Sequence, residues 1–233
     1  PEPDMLLLDE PFSAVDQYLR QRLRAQLQGV ITGVRQPVLL VTHDLEEARQ
    51  LADHVGVMID GQLRRFDSTK AVFNDPGSFE VARVLGWRNL LPVKRLQCRK
   101  VIGDWGAVTL NREPPADTAW IGIRSEHLRI AGETADDAQR LQGRLVRSTE
   151  LGAVRELQFR LPDGSPLFLH RPWNEPVPTP GTTVGISLVP SRLRALPEGR
   201  THLDRVSGDS VWVRIDKGRG VTGSEMMEKL VSD

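Results

Sequence analysis

Four consecutive apolar residues, Met5-Leu6-Leu7-Leu8, run into two acids, Asp9 and Glu10. A continuous apolar run of this length predicts a strand covered on both faces. Beyond a polar turn, Leu19, Leu23, Leu27, Val30, Ile31 and Val34 recur at helical spacing, with Arg20, Arg22 and Arg24 between them. Asp16 stands where that helix needs an N-cap. Pro37 ends the helix, and Val38-Leu39-Leu40-Val41 reads as a second buried strand. Asp44 followed by Glu47 has the spacing of a capping box for a helix reaching about Ala52. Val55–Ile59 is a third strand, and Asp60-Gly61 turns it back into Gln62–Phe66 as a hairpin. The order βαβαβ predicts a parallel sheet in residues 1–66.

Residues 67–86 read as a helical connector, interrupted at Asn74-Asp75-Pro76-Gly77. From Trp87 the texture changes to short apolar segments between Gly and Pro turns, an all-β pattern through residue 199. The expected strands are Leu91–Leu96, Ala107–Leu110, Ala119–Ile123, Leu128–Ile130, Gly143–Thr149, Arg155–Leu161, Leu167–His170, Val184–Val189 and Leu193–Leu196. Asp163-Gly164 marks a hairpin between two of them. Residues 200–233 lose the pattern and read as a poorly ordered tail with one short helix at Ser224–Leu230.

Composition narrows the function classes. The 31 Lys and Arg balance the 31 Asp and Glu, and this zero net charge argues against a nucleic-acid partner. The one cysteine, Cys98, has no internal partner for a disulfide. It fits a reducing compartment, and it reads as a small core or strand residue. No apolar run is long enough to cross a bilayer and no signal peptide is visible. A cytoplasmic location follows as the expectation. The first residue is Pro1 rather than Met, and a buried-strand pattern begins almost at once, so the chain reads as part of a longer protein.

The chemistry concentrates at the end of the first strand. Adjacent strand residues point to opposite sides, so Asp9 and Glu10 suit two tasks rather than one paired dyad. One carboxylate can hold Mg²⁺ and the other can polarise a water, at the sheet edge where α/β proteins place ligands. The second strand ends in Thr42-His43-Asp44. Parallel pairing brings His43 to the edge that carries Glu10, where an imidazole can meet a phosphate and the attacking water. Ser13-Ala14-Val15-Asp16 lies between as a turn with two short polar side chains.

Leu6–Pro11 resembles the Walker B motif and catalytic glutamate of ABC ATPases. Ser13–Asp16 resembles their D-loop, and Val41–Asp44 their switch histidine. The resemblance covers residues 1–66 and implies the C-terminal part of a P-loop ATPase domain using ATP and Mg²⁺. It implies Asp9 as the Mg²⁺ ligand, Glu10 as general base and His43 at the γ-phosphate. Ser13 and Asp16 would belong to the nucleotide site, with Asp16 communicating across a nucleotide-sandwich homodimer. Val81-Ala82-Arg83, Asn89-Leu90-Leu91 and Ile123-Arg124-Ser125-Glu126-His127 resemble the TOBE domain, an OB-like β barrel of importer ATPases. Gly143–Pro197 resembles a second pass of the same unit. Ser125 stands where many members have Pro, which predicts a looser turn. Membrane permease subunits, a solute-binding protein acting indirectly, and a peripheral position on the inner membrane face are implied with the family. That branch includes molybdate, sulfate, iron, polyamine and sugar importers, and the resemblance leans towards an oxyanion or a polyamine. In the β region, Ser148, Thr149 and Ser187 are candidate anion contacts.

No G-x-x-x-x-G-K-[ST] loop occurs in the sequence, nor a glutamine loop or signature motif of the family. Without the phosphate-gripping loop, the chain alone is expected to hydrolyse ATP poorly. A second reading makes the β domain the working part, as a non-catalytic ligand-sensing or dimerising module. The reading frame upstream discriminates between the two. An unrelated Mg²⁺-dependent hydrolase built on Asp9 and Glu10 leaves Ser13–Asp16 and His43 without a role.

Overall fold

A computed structural model of the chain describes residues 4–131, 140–199 and 210–215. It divides into two compact units, Pro1–Asn74 with Val206–Asp233, and Asp75–Arg205.

The first unit is an α/β unit. In order it contains β1 (Leu6–Asp9), α1 (Gln17–Gly33), β2 (Val38–Thr42), α2 (Leu45–Leu51), β3 (His54–Ile59), β4 (Gln62–Ser68) and α3 (Thr69–Asn74). The C-terminal strand, Ser210–Ile215, joins the same sheet, in the order β1, β2, C-terminal strand, β3, β4. β1 and β2 pair in parallel, with Leu6 beside Val38 and Asp9 beside Val41. The sheet is nonetheless mixed rather than parallel. The β3–β4 hairpin turns through Asp60 and Gly61, both at positive φ (+51° and +71°), the backbone that a tight two-residue turn requires. The C-terminal strand runs antiparallel to both of its neighbours.

One further expectation is corrected here. Residues 210–215 form a strand paired with β2 and β3, where the sequence pattern predicts a poorly ordered tail. The helix expected at Ser224–Leu230 lies outside the described residues. β1 lies at the edge of this sheet, and its Leu7 is 59% exposed. The buried centre of this sheet is Val38 and Leu40 on β2 with Val55 and Val57 on β3, joined by Ala48 of α2 and Val72 of α3.

The second unit begins with α4 (Phe79–Val84), whose N-cap Ser78 accepts from the Val81 N–H. Its strands are β5 (Asn89–Pro92), β6 (Arg95–Gln97), β7 (Lys100–Gly103), β8 (Gly106–Thr109), β9 (Thr118–Ile123) and β10 (Leu128–Ile130). They continue as β11 (Arg140–Leu151), β12 (Val154–Arg160), β13 (Pro166–Pro172), β14 (Thr183–Leu188) and β15 (Arg194–Pro197). One five-stranded sheet has the order β10-β14-β11-β12-β13, and two three-stranded sheets are β15-β9-β5 and β6-β7-β8. Leu91, Trp105, Ile121, Leu145, Phe159 and Ile186 share one buried cluster drawn from all three.

The strand expected over Leu91–Leu96 splits after Pro92, and β7 was not anticipated. Cys98 is neither core nor strand: it is exposed at φ +49°, in the turn that brings Gln97 opposite Lys100. Trp105 is buried and its indole N–H donates to the Pro92 carbonyl at 2.6 Å. A Cβ on Gly103 would lie 2.1 Å from Trp105 Nε1, so only glycine lets the ring reach that carbonyl. Asn89 is fully buried and fixes β5 to β13. Its Oδ1 accepts from the Phe168 N–H at 2.7 Å, and its Nδ2 donates to the Phe168 carbonyl at 2.8 Å.

Candidate functional site

The parallel pairing of β1 and β2 sets their C-terminal ends level. Asp9 closes β1 as an exposed residue. Glu10 follows it out of the strand, and its N–H donates to the Val41 carbonyl at 2.8 Å. Its backbone then turns left-handed, at φ +42°. A non-glycine residue pays for this conformation in strain and tends to hold it where a side chain must be aimed. The turn delivers the Glu10 carboxylate to the ring of His43, with Nδ1 and Oε1 2.9 Å apart. Both side chains remain open to solvent, His43 at 62% and Glu10 at 41%.

The turn after Glu10 is held by its own polar groups. Ser13 donates both its N–H and its Oγ–H to the Glu10 carbonyl, at 3.1 and 3.0 Å. Asp16 caps α1 by accepting from the Leu19 N–H at 3.0 Å. Ser13 and Asp16 therefore shape the loop that Glu10 leads into, and neither is hydrogen-bonded to His43.

Behind His43 lies a buried ionic network. Arg24 of α1 is nearly inaccessible and reaches Asp44, Glu46 and Glu47 together. Glu47 is as buried as Arg24 and accepts from Thr42 Oγ1 at 2.6 Å. Thr42 Oγ1 in turn accepts from the Asp44 N–H at 3.0 Å. Asp44 caps α2 through the Glu46 and Glu47 N–H groups. The capping box is thus not reciprocal: Glu47 turns to Thr42 and Arg24 instead of the Asp44 N–H. Arg20 adds a contact to Asp44 at 3.6 Å and donates to the Val15 carbonyl. The backbone on either side of His43 is clamped from α1 by these bonds. Arg20 and Arg24, four apart on one helix face, are the signal in the sequence; their partners on α2 were not legible as such.

In the second unit the candidate anion contacts do not converge. Ser187 lies opposite Arg140 at the start of β11, while Ser148 pairs with Leu157 towards its other end. Eight residues of strand separate those positions, about 26 Å at the usual rise. The turn at Ser125 is not loose either. It is a 3-10 turn closed by the His127 N–H on the Arg124 carbonyl at 3.0 Å, with Ser125 buried beside Asn89.

Charge in this unit gathers at Glu156, which bonds Arg88 at 2.5 Å and His170 at 3.0 Å. Burial alone would raise its pKa, but the hydrogen bonds from His170 and Arg88 outweigh it and hold the carboxyl below its ordinary 4.5. The Arg88 guanidinium carbon also lies over the Phe168 ring, 3.6 Å from the centroid. His127 is held below its ordinary 6.5, chiefly by burial.

Residues 121–196 match the TOBE domain family. Most of the chain aligns with importer subunits. A sulfate/thiosulfate import ATP-binding protein, CysA 2, of Chromobacterium violaceum is 33% identical over 202 residues, 84% of this chain and 55% of that protein. A spermidine/putrescine import ATP-binding protein, PotA, of Nitratidesulfovibrio vulgaris is 32% identical over 84% of this chain and 57% of its own length. An Fe(3+) ions import ATP-binding protein, FbpC, of Haemophilus influenzae is 24% identical over 81% of this chain and 52% of its own. The chain thus spans about half the length of the curated relatives it matches. Among solved structures, the molybdate-binding protein ModG aligns at 13% identity over 48% of this chain and 98% of its own, with a TM-score of 0.36. Among the described residues no helix is long and apolar enough to cross a membrane. By sequence, most of the chain is similar to the ATP-binding subunits of importers, and residues 121–196 match the TOBE domain family.

Proposed function

We propose that this chain forms the water-activating side of the ATP site in an ABC importer subunit, with Glu10 as general base and His43 as the group that meets the terminal phosphate. The observation that carries the reading is the 2.9 Å contact between Glu10 and His43 at the ends of two parallel strands. A carboxylate accepts, so Nδ1–H of His43 donates to Glu10. The ring is thereby turned so that Nε2 remains for a phosphate oxygen or the attacking water. Glu10, aimed by its left-handed backbone, can take a proton from that water.

Asp9 is the proposed Mg²⁺ ligand. Among the described residues no group of three or more His, Cys, Asp or Glu is gathered to hold a metal. Mg²⁺ does not need one. It takes one or two carboxylates and completes its shell with water and substrate phosphates. Exposed Asp9 suits that arrangement, and the bound ion would neutralise charge on the phosphates. The loop shaped by Ser13 and Asp16 is the proposed contact to a second subunit. Permeases and a solute-binding protein are the proposed further partners, following the import functions named for the relatives. A peripheral cytoplasmic position goes with them.

The test is made in the intact subunit that carries this sequence. Glu10→Gln is expected to bind nucleotide normally and to lose ATP turnover by at least about 100-fold, as removal of a general base does. His43→Ala is expected to lose turnover as well. Near-normal hydrolysis by Glu10→Gln rules the assignment out.

A further inference from the structure

Arg20 of α1 uses the two arms of its guanidinium in different directions. Nη2 donates to the Val15 carbonyl at 2.9 Å, in the loop that leads from Glu10 into the helix. Nη1 lies 3.6 Å from Oδ2 of Asp44, the residue that follows His43. The planar fork of an arginine fixes two partners at once, which the point charge of a lysine does not.

These contacts close a ring around the candidate site. The Glu10 carbonyl accepts from Ser13, and the Phe12 carbonyl accepts from the Val15 N–H at 3.1 Å. Arg20 holds the Val15 carbonyl and meets Asp44, which the chain joins to His43. The His43 ring then returns to the Glu10 carboxylate. Parallel pairing fixes the strand ends on one side of the ring. On the other side, Arg20 connects the loop to the turn that carries His43.

Asp44 is the node of this ring. Its Oδ1 accepts from the Glu46 N–H at 2.8 Å at the start of α2, and its own N–H donates to Thr42 Oγ1. Its Oδ2 faces both arginines of α1, but their roles differ. Arg24 is nearly inaccessible and ties α1 to Glu46 and Glu47, which packs one helix on another. Arg20 is 29% exposed and reaches back to the loop. An ion pair so placed adds little to stability, yet it sets where the loop stands relative to His43. Displacing reacting groups by about 1 Å can slow a reaction about 100-fold.

We infer that Arg20 is a positioning residue: by holding the Val15 carbonyl and the Asp44 carboxylate together, it keeps His43 and Glu10 aimed at one point. The inference rests on the reading of Glu10 and His43 as the water-activating pair.

The test is a double-mutant cycle in the intact subunit, with Arg20→Met, His43→Ala and the two combined. Arg20→Met keeps the apolar stem and removes the fork. It is expected to lower kcat about tenfold, with KM for ATP within about twofold of the parent and the melting midpoint unchanged. In the His43→Ala background the same substitution is expected to change kcat by less than about twofold, because no imidazole is left to misplace. An arginine with a merely structural role slows both backgrounds alike. Arg20→Lys keeps the charge and the stem without the fork, and serves if the methionine variant fails to fold. It is expected to regain less than about half of the lost turnover. Parental turnover in Arg20→Met or Arg20→Lys, or equal losses with and without His43, overturns the positioning role. Near-normal turnover in His43→Ala overturns instead the reading on which that role rests.

Discussion

Glu10 leaves β1 in a left-handed turn that few side chains adopt, and it does so one residue after a carboxylate and beside an imidazole. Three constraints meet there: parallel register, the bond from the Glu10 N–H to Val41, and the Ser13 bonds to the Glu10 carbonyl. The pairing of Glu10 with His43 was legible in the sequence, because two apolar runs that each end in polar chemistry must end level if they pair in parallel. What holds His43 from behind was not legible. Arg24 looks like a gap in the apolar stripe of α1, whereas it is a buried cation facing three carboxylates. Removing it strands Glu47 without its countercharge, and an uncompensated buried charge is the costly case. Arg24→Leu is therefore expected to destabilise the first unit by about 3–5 kcal/mol, read as faster amide exchange along β2 and α2. The double variant Arg24→Leu with Glu47→Leu should recover much of that loss. A single variant as stable as the parent would show that the network contributes nothing.

At the scale of elements, sequence patterning found helices and turns better than it found sheet partners. Asp60-Gly61 and the Asn74–Gly77 break were readable because turn chemistry is local. The split of Leu91–Leu96 was not, since it depends on Val93 bonding to Ala119 on a distant strand. Asn89 is a case of the same kind. A lone Asn in an apolar strand reads as a defect until Phe168 is seen to use both ends of its amide. Asn89→Ala leaves a half-buried N–H and C=O of β13 without the partners that Asn89 supplies. The expected loss is at least about 2 kcal/mol, seen as a lower urea midpoint with unchanged slope. The charges add a pH dependence. Glu156 titrates below 4.5 when folded, so the unfolded state binds the proton first. Its contribution is present above 4.5 and lost as pH falls through the lower, folded value. His127 is depressed below 6.5 by burial, so it too favours the unfolded state once pH drops under 6.5. Glu126 in the same unit is also held below its ordinary 4.5. The second unit is expected to weaken in acid in two stages, and a Glu156→Gln variant should lose its own share of the lower one while Glu126 keeps the rest. An acid limb identical in that variant would assign the loss to other groups.

For the whole molecule, the α/β character of the first unit and the β character of the second were readable from period and punctuation. The order of strands was not. β1 has the composition of a fully covered strand yet lies at an edge with Leu7 exposed, and the sheet's central strand comes from a segment whose pattern gave no hint of a partner. Composition records what a strand is built to meet; order depends on which segments are present to meet it. The same distinction governs activity. The chain holds two acids and a histidine suited to water activation, and its sequence contains no glycine-rich loop with the lysine that grips phosphates. Phosphoryl transfer is catalysed mainly by positioning and by charge stabilisation around the transferred group. A general base alone supplies only a few powers of ten, too little against so slow an uncatalysed reaction. The purified chain is therefore expected to show no Mg²⁺-dependent ATP hydrolysis above that of its own Glu10→Gln variant. The comparison with that variant decides the matter, because a contaminating ATPase would appear equally in both preparations. Turnover present in the parent and absent in Glu10→Gln would mean that this chain grips phosphate by groups other than a glycine-rich loop.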